Sequence, residues 1–156
     1  VEPEVLLEGK HSRARSRAVI EEVLGVLFSV LEEHSVDRAS VILKTSMALS
    51  GSESGKKDTP EEVAEDTIDA LMKSVPRQVA GIVFLSGGQT PAEATANLAA
   101  IIRQAKIANA PWPITFSYAR ALQEDALSLW GGKEENVPRA RAAYLERLAK
   151  VSAALN

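Results

Sequence analysis

The chain has 156 residues, a formal net charge of −3 and no cysteine. That length suits one domain, the charge provides no basic field to attract nucleic acid or anionic lipid, and the missing thiols exclude disulfides and thiolate metal sites. No apolar run is long enough to span a bilayer, and a reducing compartment fits the composition. The opening Val1-Glu2-Pro3-Glu4 has no initiator methionine, so the lack of a visible targeting segment carries no weight.

Val1-Glu2 reads as the last stub of a strand. Arg13 to Glu33 reads as a helix, with Ala18, Ile20, Val23, Leu24, Leu27, Phe28 and Leu31 at 3.6-residue spacing. A strand follows over Ala39–Lys44, then a polar loop over Ser50–Asp58. Thr59-Pro60-Glu61-Glu62 is a helix start, with a cap, proline in the first turn and acids beside it; this helix runs to Ser74. The next strand covers Gly81–Leu85. Thr90-Pro91-Ala92-Glu93 repeats the start signature for a helix to Lys106. A strand over Trp112–Ser117 precedes helices over Arg120–Leu129 and Val137–Ala153, split by Gly131-Gly132.

Alternating strands and amphipathic helices predict a parallel α/β sheet. The strands read as continuously apolar, the pattern of strands covered on both faces. Glu2 and Lys44 stand 42 positions apart, Lys44 and Ser86 42 again, and Ser86 and Arg120 34. Polar groups therefore recur just past each strand, where α/β barrels carry their chemistry. Four βα units make half a barrel, so the chain reads as a piece or as something that pairs, with its whole length, 1–156, in one domain.

Lys44 ends an apolar run. Desolvation there would favour a neutral amine able to attack a carbonyl, whereas the plain alternative is a lysine reaching out to solvent. Ser86-Gly87-Gly88 can cradle an anion on bare amides, or can be an ordinary tight turn. Arg120 opens a helix where the dipole disfavours a cation, a misfit that an anionic ligand would relieve. Glu2 and Glu4 can shuttle protons near Lys44, or can be a surface acid pair. His11 and His34 read as surface or helix-end residues, Trp112 and Trp130 as packing residues, and no spacing suggests a metal site.

Taken together, Val1-Glu2-Pro3-Glu4, Ile42-Leu43-Lys44, Gly81 to Gln89 (GIVFLSGGQ), Thr115-Phe116-Ser117-Tyr118 and Leu129 to Asn136 (LWGGKEEN) resemble the C-terminal half of a class I, Schiff-base fructose-1,6-bisphosphate aldolase. The resemblance runs end to end. It implies a (β/α)8 TIM barrel, with this chain supplying strands five to eight. It implies glycolytic cleavage of the bisphosphate to two triose phosphates in the cytoplasm, without metal or organic cofactor. Lys44 is then the Schiff-base lysine, Glu2 the acid/base of imine formation, and Glu4 its neighbour. Ser86, Gly87, Gly88 and Arg120 hold the ketose phosphate, with Ser117 and the Ala119 amide nearby. A phosphorylated sugar is the expected substrate, a homotetramer the expected assembly, and actin a partner by family analogy.

Four departures accompany the resemblance. Family members usually carry glycine where this chain has Ala119, and Thr45-Ser46 stands where Pro-Asn is common. The family's aspartate, lysines and arginine of the first four strands have no counterpart, nor has its mobile C-terminal tail. A related aldolase acting on another sugar phosphate, and a self-associating half-barrel acting as a binding module, are the rival readings.

Overall fold

The computed structural model describes every residue from Val1 to Asn156. Three strands, β1 (Ile42–Thr45), β2 (Gly81–Phe84) and β3 (Ile114–Phe116), form a parallel sheet in sequence order. Five α-helices accompany them: α1 (Arg13–Glu33), α2 (Pro60–Ser74), α3 (Pro91–Ile107), α4 (Arg120–Trp130) and α5 (Val137–Ala153).

The helix starts are set locally. Thr59 and Thr90 each accept from the backbone N–H three residues on, while Glu62 and Glu93 reach back to the cap, closing two capping boxes. Strand boundaries moved more than helix boundaries. The strand expected from Ala39 begins at Ile42, because the Asp37 carboxylate accepts the Ala39 N–H at 3.0 Å and winds Arg38–Ser40 into a 3-10 turn. The last strand shortens to three residues.

The expected fourth strand is present only as an edge contact. Val1 donates to the Ile42 carbonyl at 3.0 Å, and Lys44 donates back to the Val1 carbonyl at 2.9 Å. These two bonds are one rung of a parallel ladder and place Glu2 opposite Lys44. The ladder cannot continue, since Pro3 has no N–H to give.

Register pairs Leu43 with Ile82 and Ile82 with Ile114; Lys44 pairs with Val83, and Val83 with Thr115. Alternation sends the two sets to opposite faces. Leu43, Ile82 and Phe84 are fully buried against α1, α2 and α3, with Ile20, Leu24, Val63, Ile68, Leu71, Leu98 and Ile101 in one core. The other face carries Ile42, 57 % exposed, then Lys44, Val83 and Thr115. Within this chain the sheet is thus covered on one face and open on the other, consistent with part of a barrel.

Helix α5 is fastened by Arg147, whose guanidinium donates to the carbonyls of Ala121 and Pro91 and to Thr95. Trp112 is buried and donates to the Pro76 carbonyl at 2.9 Å. Trp130 is 41 % exposed, so of the two expected packing tryptophans only Trp112 is buried. On α1 the buried line is Ser16, Ile20, Leu24 and Phe28, whereas Val23 and Ala18 of the expected stripe face outward.

Candidate active site

All three strands point their carboxyl ends the same way. The segments that leave them, from Ser46, Leu85 and Ser117 onward, therefore share one edge of the sheet.

Lys44 sits on the uncovered face one residue before the end of β1. Its Nζ donates to Glu2 Oε2 at 2.9 Å. The lysine side chain is 29 % exposed and that of Glu2 68 %, so the lysine is partly withdrawn from water while its carboxylate partner is not. The hydrogen bond and positive charge of Lys44 hold the Glu2 carboxyl below its ordinary 4.5. Glu4 is exposed and lies on the neighbouring turn: its Oε1 is 3.9 Å from the place a Cβ on Gly87 would occupy.

Ser86-Gly87-Gly88-Gln89 is a tight turn closed by the Gln89 N–H donating to the Ser86 carbonyl at 3.0 Å. Gly87 and Gly88 have φ of +28° and +74°, the paired positive values that side chains resist. Space adds to the demand. A Cβ on Gly87 would meet Leu85 Cδ1 at 2.6 Å, and one on Gly88 would meet Leu7 Cδ2 at 2.9 Å.

A polar cleft of about 270 Å³ brings Ser86 and Gly88 together with Gln89, Thr90, Arg120 and Glu124. The Ser86 hydroxyl and the Arg120 guanidinium make no hydrogen bond or ion pair inside the chain, leaving both available to a ligand; Glu124 supplies an opposing charge one turn along. Helix α4, which Arg120 opens, has no side-chain cap, unlike α2 and α3. Leu122 and Gln123 donate to the Ala119 carbonyl, both at 3.1 Å, whereas the Arg120 and Ala121 amides have no partner in the chain, a setting that favours an anion. Ser117 is exposed, with its N–H spent on the Phe84 carbonyl at 2.9 Å. Ala119 caps α4 at φ −98°, outside the left-handed region that favours glycine. Neither Ser117 nor Ala119 lines the cleft, and Gly87 faces the side where Val5, Leu7 and Ser46 lie. Lys44 stands outside the cleft as well. Its partner Val83 is three residues before Ser86, which puts the lysine Cα about 10 Å from the turn along the strand direction.

Three residues without a role in the sequence reading prove central. Gln89 donates through Nε2 to the Ser86 carbonyl at 3.0 Å and to Met47 Sδ at 3.6 Å, and accepts from Asn97 Nδ2 at 2.7 Å. Asn97 is buried on α3, so the turn is braced from behind. Ser46 exchanges hydrogen bonds with the backbone of Val5. A glutamine directly after two glycines was the available signal for the brace. Nothing in the local sequence marked Ser46 or Asn97. No three His, Asp or Glu side chains converge on one point.

A parallel sheet, helices along one face and polar groups past the strand ends together define an α/β fold, and fit part of a barrel. The family model described as glycolytic fructose-bisphosphate aldolase class-I matches residues 1–156, so the chain belongs to the class I fructose-bisphosphate aldolase family. Among its relatives, a cytosolic fructose-bisphosphate aldolase of Arabidopsis thaliana is 48 % identical over 94 % of this chain and 37 % of its own length. That of Drosophila melanogaster is 46 % identical over 94 % and 40 %. The fructose-bisphosphate aldolase of Plasmodium falciparum, solved with TRAP and a small-molecule inhibitor, superposes with a TM-score of 0.93 at 41 % identity, over 99 % of this chain and 44 % of that one. The chain thus spans about two fifths of the curated relatives it matches.

Proposed function

We propose that this chain carries the imine-forming and ketose-phosphate-binding part of a fructose-1,6-bisphosphate aldolase. It would contribute strands five to eight of a (β/α)8 barrel as one half-domain. The carrying observation is the 2.9 Å Lys44–Glu2 pair beside a cleft that joins Ser86, Gly88 and Arg120.

The unpaired Arg120 guanidinium, the Ser86 hydroxyl and the Gly88 amide would take the ketose C1 phosphate, with the Ser117 hydroxyl and the Gly87 and Ala119 amides at its margin. The phosphate fixes the C2 carbonyl above Lys44. For Nζ to attack, a proton must leave it, and Glu2 is the group within reach. Glu2 is a weak base while Lys44 is charged, but loses that restraint as the lysine charge goes. The amine adds to C2, and Glu2 returns the proton to the C2 oxygen; a second proton then passes through Glu2 from the nitrogen to that oxygen, which departs as water and leaves a protonated imine. The protonated imine then accepts the electron pair of the C3–C4 bond as an enamine, while the C4 hydroxyl proton passes to a base supplied by residues outside this chain. The aldehyde leaves, C3 takes a proton, and hydrolysis of the imine restores Lys44. Glu4, beside the turn, is placed to orient water or phosphate rather than to meet C2.

The same reading places the protein in the cytoplasm as a homotetramer. Cytosolic relatives are among the matches, together with chloroplastic ones. The Plasmodium falciparum relative was solved in complex with TRAP; for this chain, actin is the partner that family analogy suggests.

Borohydride reduction with dihydroxyacetone phosphate, read by peptide mass mapping, tests the proposal. A reduced adduct confined to Lys44 is expected. An intact folded protein that gives no adduct, or gives one elsewhere, would overturn it and favour a binding or assembly role for the fold.

A further inference from the structure

Glu2 can serve Lys44 only if the segment that carries it stays against β1, and the backbone alone does not hold it there. Val1 makes one ladder rung with Ile42 and Lys44. The next rung would need an N–H at position 3, where Pro3 has none. The edge of the sheet therefore breaks between the two glutamates.

Ser46 restores the attachment. It is the first residue beyond β1 and is buried, with 4 % of its surface exposed. Its Oγ accepts the Val5 N–H at 2.9 Å and donates to the Val5 carbonyl at 3.3 Å. A single hydroxyl thus stands in for the missing rung, pairing with both backbone groups of one residue. Glu2 and Glu4 lie between the Val1 rung and this clamp, so both carboxylates are placed from two ends. Further along, Leu7 and Gly9 accept from the backbone of Ser52 and Glu53 at 2.8 Å and 2.9 Å, which secures the rest of the segment independently of Ser46.

We infer that Ser46 is a positioning residue for imine formation: it holds the Glu2-bearing segment in register with Lys44 across the gap that Pro3 leaves in the sheet edge. It touches no substrate. This inference rests on the proposed roles of Lys44 and Glu2, and it deepens them.

The experiment uses the full-length protein, with Ser46→Ala and Ser46→Thr compared to the parent. The rate of borohydride-trappable adduct at Lys44 is measured with dihydroxyacetone phosphate, and inorganic phosphate affinity is measured separately as competition. Displacing a proton-transfer group by an ångström costs about a hundredfold at most, so Ser46→Ala is expected to slow adduct formation by roughly ten- to a hundredfold. Phosphate affinity should stay within about twofold of the parent, since the cleft of Ser86, Gly88 and Arg120 does not include Ser46. Ser46→Thr keeps the hydroxyl and should recover most of the rate. Adduct formation at the parent rate in Ser46→Ala overturns the inference, as does an equal loss of phosphate affinity or no recovery in Ser46→Thr, because those outcomes mark a merely structural residue. No Lys44 adduct in the parent would instead remove the proposed function itself, and the role of Ser46 with it.

Discussion

At the scale of single residues, the proposed chemistry rests on one paired charge, Lys44 with Glu2, and one without a partner in the chain, Arg120. Glu2 is held down first by the Lys44 hydrogen bond and then by its charge. The carboxyl should therefore titrate below 4.5 by NMR in the parent and return toward 4.5 in Lys44→Met. A group lowered on folding adds stability above its unfolded value and loses it as pH falls through the folded one, so any contribution from this pair disappears on the acid side. Lys44→Met should also lower turnover by on the order of a thousandfold or more and abolish trapping. Arg120→Ala should raise KM for a phosphorylated ketose by roughly ten- to a hundredfold, the scale of one lost charge-assisted bond, and leave an unphosphorylated ketose nearly unchanged. Equal effects on both sugars would remove Arg120 from the phosphate site. These residues were legible as types at strand ends: an amine after an apolar run, glycines in a turn, a cation at the wrong end of a helix. Ser46 was not, because its partner lies 41 positions away and serine after a strand is commonplace.

At the scale of elements, the segment after Lys44 is held by the helices behind it. The Ala48 N–H donates to buried Thr67 of α2 at 2.9 Å. The Ser50 N–H and hydroxyl donate to Asp58 at 2.7 Å and 2.9 Å, while Arg13 of α1 bonds Asp58 and Asp66. Burial pushes the Asp66 carboxyl up, but the bonds from Arg13 and Arg17 outweigh it and keep it below its ordinary 3.8. The network therefore stabilises above 3.8 and fails as pH falls through the lowered value. Asp66→Asn should cost about 1–3 kcal/mol in urea unfolding at neutral pH and flatten the loss of stability on acidification. A mutant with an unchanged acid slope would show that other groups govern it. Helix boundaries were readable because each capping box lies within four residues of sequence. The late start of β1 was not, because the Asp37 turn competes with an apolar pattern that suits a strand equally well. The ion pairs between α1 and α2 join residues about fifty positions apart and leave no periodic trace.

For the whole molecule, alternation of strand and helix was enough to give the parallel order, but apolar strands could not tell one covered face from two. Ile42, Val83 and Thr115 sit on the open face, where the remainder of a barrel would pack. The 156-residue chain by itself is therefore expected to show little or no aldolase activity and to bind a hydrophobic dye; full turnover by this length alone would refute the division of labour proposed for it. The strand order has a further consequence. Strands pair only with their neighbours in sequence, β1 with β2 and β2 with β3, and each returning helix packs on its predecessor. Assembly can therefore be vectorial: as the polypeptide emerges from the ribosome, β1 offers an edge to β2 before β3 has been made, and the lysine is seated before the turn proposed to bind phosphate exists.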